Sequence, residues 1–185
     1  MAQHALMAEL PQAAAWTIRR ARRSDAATLA ALGAATFRET YAADTRPADM
    51  EAFLVAAYRD EDVRGHLDDP RSAFFLAEVA DATAGFAQLR DDVTHPAVTG
   101  SNPIYLANLY LDRQFQGIGL GAGMMQQCLD EARKGGHDVL WLGVWERNGR
   151  AIAFYTKWDF VAVGEMPFEF GRERQRDIVM QRAVD

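Results

Sequence analysis

The residues best placed for chemistry lie together in Leu109-Tyr110-Leu111-Asp112-Arg113-Gln114-Phe115-Gln116-Gly117-Ile118-Gly119-Leu120-Gly121-Ala122-Gly123. An apolar strand runs into a short polar turn, then a glycine-rich loop, then a helix beginning Met124-Met125-Gln126. Glycines at 117, 119, 121 and 123 let backbone approach a ligand with no Cβ between them. The free N–H groups of a helix start point at such a ligand, and the helix dipole favours an anion there. The pattern reads as a pyrophosphate seat and implies a nucleotide-bearing cofactor.

Two spacings compete. Gly117-x-Gly119-x-x-Ala122 fits a relaxed dinucleotide fingerprint, with Asp138 about 20 residues further on. That fingerprint follows its strand almost at once, whereas here Asp112 to Gln116 intervene and no βαβ unit comes before. Gln116-x-x-Gly119-x-Gly121 instead has the spacing of the Q/R-x-x-G-x-G/A signature of the GNAT superfamily of acyl-CoA N-acyltransferases.

The downstream sequence favours the second spacing. Trp141-Leu142-Gly143-Val144-Trp145-Glu146-Arg147-Asn148 reads as a strand ending in a turn, Gly149 to Lys157 as a short helix, and Phe160 to Gly164 as a strand. This resembles the superfamily's second block, with Asn148, Ala151 and Tyr155 on matching positions. Asp159 departs from it, standing where the family has Gly, and a left-handed turn there strains Asp mildly. Thr36 to Tyr41, the 141–148 run, and the tail segments Phe168 to Gly171 and Gln175 to Met180 resemble the Pai-type polyamine N-acetyltransferases. The resemblance spans about Ile18 to Arg182.

It implies a GNAT-like α/β fold, a mixed twisted sheet of six to seven strands with helices on both faces, and acetyl-CoA as cofactor. By this resemblance the strand 104–111 carries a bulge and splays from the strand 138–145. The pantetheine arm enters the gap and pairs with backbone groups of Leu109 and Leu111, one N–H serving the thioester oxygen. The backbone of Gln116, Gly117, Ile118, Gly119, Leu120, Gly121 and Ala122 holds the pyrophosphate. Asn148, next to Ala151, bonds the pantetheine amide, and equally reads as a helix N-cap. Lys157 meets a phosphate or is a solvated lysine. Tyr155 protonates the leaving thiolate, where the alternative is a core tyrosine packing helix on sheet. Phe37, Glu39, Tyr41 and Glu146 form the acceptor side. The general base stays open. The stretch Tyr105-Leu106-Ala107-Asn108 lacks the carboxylate many relatives place there, which leaves Glu39, Glu146 or water.

Composition sets the bounds. The 185 residues, 49% apolar and 25% charged, suit one domain over residues 16–185 behind a loose extension, residues 1–15. No apolar run approaches a membrane span. The extension does not read as a signal peptide. One cysteine, Cys128, forms no intrachain disulfide and suits a reducing cytoplasm. Mid-helix, it reads as buried rather than nucleophilic. The four histidines lack metal-ligand spacing, so no metal is expected. A net charge of −6 argues against nucleic acid as partner. Residues 36–69 hold nine carboxylates against four arginines and could steer a cationic amine, or could be solvated helix faces.

The elements that position these residues follow from pattern. Trp16 to Ala21 reads as a strand. Ser24 caps a helix from Asp25 to Ala35, and Pro47 starts a second helical region. Ser72 to Ala80 and Gly85 to Arg90 form a hairpin, and Asp91 to Asn102 a mobile loop. There follow a strand 104–111, a helix 119–134 stopped by Gly135-Gly136, a strand 138–145, a helix 148–157, a strand 159–163 and a strand near 177–181. The functional expectation is an acetyl-CoA-dependent N-acetyltransferase, cytoplasmic, acting on a small-molecule primary amine, polyamines favoured, by direct transfer in a ternary complex. A protein N-terminus, a lysine, an amine-bearing antibiotic, or a non-catalytic CoA-binding role are the alternatives. Many relatives pair through sheet edges, so a homodimer is one arrangement the resemblance allows.

Overall fold

The computed structural model describes residues 15–170 and 173–184. The expected N-terminal extension lies outside the described residues except for Ala15. Among the described residues, seven strands form one mixed sheet in the order β1-β2-β3-β4-β5-β7-β6: β1 Trp16–Arg20, β2 Ser72–Val79, β3 Ala82–Arg90, β4 Pro103–Leu111, β5 Val139–Trp145, β6 Val161–Phe170 and β7 Glu173–Ala183. Five α-helices among the described residues cover it: α1 Ala26–Tyr41, α2 Pro47–Ala57, α3 Asp60–Asp68, α4 Leu120–Lys134 and α5 Gly149–Lys157. No described helix is long and apolar enough to cross a membrane.

Strand alternation sorts the core into two sides. Leu140, Leu142 and Val144 of β5 join Ile104 and Leu106 of β4 under α4, whose Met124, Met125, Cys128 and Leu129 are fully buried. Ile152 and Tyr155 of α5 pack against the same cluster. On the opposite side Phe74, Leu76 and Phe86 meet Leu29 of α1 and Val63 of α3. Trp141 and Val179 pack there with Val93 and Val98 of the 91–102 segment.

Several boundaries differ from the sequence reading. The first helix runs to Tyr41, and Asp25, not Ser24, sits at its N-cap. The second helical region is two helices, because α3 follows α2 after a short break. The β2–β3 turn is tighter than expected. Ala80 and Asp81 take φ of 48° and 66°, and Val79 pairs with Ala82. That is a two-residue turn whose left-handed backbone matches strand twist. The last two strands form a hairpin about twice the expected length. Pro167 is tolerated in β6 because β6 is the sheet edge. The 91–102 segment, expected to be mobile, is tied down. Asp138 accepts from the Ser101 hydroxyl and from the Ser101 and Asn102 N–H groups, and Gln181 bonds Thr99. These donors hold the Asp138 carboxyl near 2. Asp138 is therefore a loop clamp at the start of β5.

Candidate active site

β4 and β5 run parallel and pair over three positions, Pro103 with Val139, Ile104 with Leu140 and Tyr105 with Trp141. Beyond Tyr105 they separate. The cause lies in β4, whose register against β3 shifts by one residue at Ala107, between the pairs Leu89–Leu106 and Gln88–Asn108. A bulge there bends the strand away from its neighbour. The Asp112 N–H donates to Ala84 O at 2.9 Å. Counting back from that bond, the peptide groups of Leu109 and Leu111 point away from β3, into the gap. The Leu111 carbonyl accepts from Gln116 Nε2 at 3.1 Å, so the Gln116 side chain ties the glycine loop to the strand end.

The loop closes one end of the gap. Gly117 and Gly119 both have φ of 85°, and a Cβ at either would meet nothing within 4 Å. Their requirement is the left-handed backbone, and open space lies over them. Gly119 is the N-cap of α4, and the first intrahelical bond runs from Gly123 N–H to Gly119 O. The N–H groups of Leu120, Gly121 and Ala122 precede that ladder and can hold an anion. Gly121 and Gly123 lie inside the helix and are glycines for another reason. A Cβ on Gly121 would sit 3.3 Å from Leu111 Cδ1, and one on Gly123 would sit 2.5 Å from the Trp16 ring.

A cleft of 480 Å³ runs from this loop through the gap to the C-terminal end of α1. It brings together Glu39, Tyr41, Leu109, Leu111, Gln116, Gly117, Gly119, Gly121, Ala122, Asn148, Ala151 and Tyr155, all named from the sequence. Asn148 caps α5, its Oδ1 accepting from Ala151 N–H at 3.1 Å, which leaves the Nδ2 donors. Tyr155 lies half-buried on the α4–α5 side, where burial raises its phenol above the ordinary value and keeps it protonated. Tyr41 lines the other side, and burial raises it as well.

Other expected residues fall elsewhere. Leu120 is 1% exposed and belongs to the core, while Ile118 turns its side chain to solvent. Either can contribute only its backbone. Phe37 is buried behind Tyr41, with ring centroids 4.4 Å apart. Lys157 is exposed in the last turn of α5 and does not line the cleft, whereas Arg150 in the first turn does. Glu146 is drawn out to the surface. Trp145 faces the cleft, so alternation turns Glu146 away, and its Oε2 lies 2.5 Å from Arg176 Nη2. Cys128 is buried under α4, its thiol pushed up to about 12 by desolvation. The acidic stretch from 36 to 69 is largely neutralised by pairs such as Arg38–Glu51, Arg46–Asp49 and Arg59–Asp62, and Glu39 is its one carboxylate on the cleft wall among the described residues.

Sequence reasoning missed Thr36, Thr40, Asn108, Tyr110, Gly143 and Arg150 on the wall. It also missed Asp177 of β7. This carboxyl has a buried Oδ1 with no hydrogen-bond partner, and burial lifts it to about 6.

A family model described as the acetyltransferase (GNAT) family matches residues 34–160, a span from α1 to the end of α5. The chain belongs to the acetyltransferase (GNAT) family. It is an acetyl-CoA-dependent N-acetyltransferase. Two relatives are named uncharacterized N-acetyltransferases. One, from Lactobacillus delbrueckii subsp. lactis, is 30% identical over 83% of this chain and 89% of its own length. The other, from Mycobacterium tuberculosis, is 32% identical over 87% of this chain and 99% of its own. The fold also superposes on the PaiA N-acetyltransferase of Thermoplasma acidophilum in complex with coenzyme A. The TM-score is 0.74 at 19% identity, covering 91% of this chain and 99% of that one. A putative acetyltransferase of Salmonella typhimurium, solved with acetyl-CoA, superposes with a TM-score of 0.64 at 22% identity, over 92% and 95% of the two chains. The cleft of this acetyltransferase therefore lies where two parted parallel strands, a glycine loop and two helix starts meet.

Proposed function

We propose that this acetyltransferase passes its acetyl group directly from acetyl-CoA to a primary amine in a ternary complex, and that the amine is a small polycation of the spermidine kind. The observation that carries the reading is one continuous cleft, open across the sheet at the β4–β5 gap, with Tyr155 on one side and Tyr41 and Glu39 on the other.

The N–H groups at the start of α4 would hold the pyrophosphate, and the Arg150 guanidinium on the same cleft would add a positive charge for the phosphates. The peptide groups of Leu109 and Leu111 and the Asn148 amide would hold the pantetheine arm along β4 as an added strand. A β4 N–H would donate to the thioester oxygen and stabilise the oxyanion. The amine enters from the α1 side and attacks the carbonyl carbon. A C–N bond forms, the C–S bond breaks, and the Tyr155 hydroxyl gives the departing thiolate its proton. Alignment of amine and thioester in one cleft lowers the barrier by several kcal/mol. Transfer needs no acyl-enzyme, and the one cysteine is buried and held as a thiol.

The amine class draws support from the resemblance of the acceptor-side segments to the Pai-type enzymes and from aromatic rings beside a carboxylate on that wall. Tyr41 and Trp145 have centroids 4.9 Å apart, and such faces attract an ammonium. A thiol-release assay with acetyl-CoA against spermidine, spermine, putrescine, lysine, short peptides and an aminoglycoside tests the reading. Turnover confined to the polyamines, with an amine KM that rises with salt, is expected. Turnover on another amine alone would overturn the acceptor class, and tight acetyl-CoA binding without turnover on any amine would overturn the catalytic reading.

A further inference from the structure

Behind the acceptor wall of the cleft lie acceptor oxygens that lack donors. Asp177 Oδ1 and Gln175 Oε1 are both buried and both without a hydrogen-bond partner. They lie two residues apart on β7, so their side chains leave the same face of the sheet, about 7 Å apart along the strand. That face is the one carrying Trp145 and Gly143 of β5. Asp177 pairs across from Trp145, and its Oδ2 lies 3.3 Å from where a Gly143 Cβ would stand. Gly143 and Trp145 are themselves cleft residues. The missing Cβ of Gly143 thus leaves the carboxylate just behind the cleft wall.

Two unpartnered acceptors are costly unless a ligand supplies donors. An ammonium brings three N–H groups and one positive charge, the complement of a carboxylate beside an amide oxygen. The surroundings match. Tyr41 lies tilted against Trp145, and Phe168, which pairs across from Gln175, has its ring 6.1 Å from Tyr41. Resting on the direct-transfer reading above, we propose that Asp177 is the base that takes the proton from the attacking ammonium, directly or through one water, with Gln175 Oε1 holding the same amine.

The protons then balance. The ammonium begins with three, and the amide product keeps one. The first goes to the Asp177 carboxylate before attack and from there to solvent. The second leaves the nitrogen as the tetrahedral intermediate collapses and replaces the proton that Tyr155 has given to the thiolate. Acid and base stand on opposite sides of the sheet and meet through the gap: Tyr155 packs with the α4 cluster, Asp177 with the α1 side.

The titration behaviour fits a base at neutral pH. Burial lifts Asp177 to about 6, and it makes no ion pair among the described residues. The groups that face it are neutral phenols, Tyr41 from α1 and Tyr105 and Tyr110 from β4. β5 offers the non-titrating Gly143 and Trp145, and β6 offers Met166. His95 of the 91–102 segment stands 6.0 Å from the Trp141 ring, and Glu39 lies at the cleft rim on α1. Arg176 points to the opposite face, where Glu146 and Glu165 hold it.

The test compares wild type, Asp177→Asn and Glu39→Gln with acetyl-CoA and spermidine across the pH range. For wild type, kcat should rise through an apparent value near 6. Asp177→Asn should lower kcat by about 10²–10³-fold and move that limb up toward the amine's own pKa. Glu39→Gln should keep the limb. Acetyl-CoA affinity of Asp177→Asn, measured by calorimetry, should stay within about twofold, which separates a lost base from a damaged fold. Wild-type turnover with an unmoved limb in Asp177→Asn would overturn the base assignment alone. Wild-type silence on every amine, with acetyl-CoA bound, would overturn the transfer reading and the base with it.

Discussion

Asp177→Asn should make the protein more stable while making it slower. The unfolded carboxyl titrates near 3.8 and the folded one near 6, because burial disfavours the charged form. Between those values the folded state binds more protons than the unfolded chain, so wild-type stability falls as pH rises and levels off above the folded value. The shift of about 2 units at about 1.4 kcal/mol each gives an upper bound near 3 kcal/mol. Asp177 is half-buried, and screening through its exposed part reduces this to about 1–2 kcal/mol. Asn keeps the shape and removes the charge. For a chain of this size the gain is about 3–6 °C in Tm at about pH 7.5. The assay is thermal unfolding of both proteins by circular dichroism, without acetyl-CoA, at about pH 4.5 and about pH 7.5. The gap in Tm should be small at the lower pH and widen at the higher. A gap independent of pH, or an Asn variant less stable at about pH 7.5, would refute the reasoning.

Other consequences are equally specific. Tyr155→Phe should lower kcat by about 10²-fold in the thiol-release assay while leaving acetyl-CoA affinity unchanged. Gly119→Ala forces a Cβ onto a φ of 85°, and should weaken acetyl-CoA binding in calorimetry by about 1–2 kcal/mol, or about tenfold. Gly123→Ala meets the outer edge of the Trp16 ring instead, and should leave acetyl-CoA affinity as it was. Arg150→Ala should raise the Kd for acetyl-CoA by about twofold to fivefold, the value of one exposed charge contact, with Lys157→Ala near wild type.

What the sequence revealed was local. The glycine loop, Asn148 and Tyr155 each sit within one turn or helix, where spacing alone sets relative position, and all line the cleft. The gap was legible only through resemblance. Its geometric cause, the register shift at Ala107, has no glycine or proline to mark it. Asp177 was hidden because its neighbours come from β5, β4 and α1, brought beside it by the sheet order β5-β7-β6. A lone Asp between Arg176 and Ile178 reads as a surface charge until Trp145 is found across from it. Glu146 misled for the same reason in reverse. It adjoins a cleft residue in sequence, and a period of two puts it on the other face. α3 escaped notice because its polar sequence, Asp60-Glu61-Asp62-Val63-Arg64, buries Val63 alone. The length of β6 and β7 escaped because Gly164 and Pro167 look like turn residues, which an edge strand tolerates.

The central claim is that acetyl passes straight from acetyl-CoA to an amine across the β4–β5 gap. Initial rates over a matrix of acetyl-CoA and spermidine concentrations test it most directly. Intersecting double-reciprocal lines, with the intact protein mass unchanged after acetyl-CoA alone, are the predicted result. Parallel lines together with an acetylated protein would contradict it.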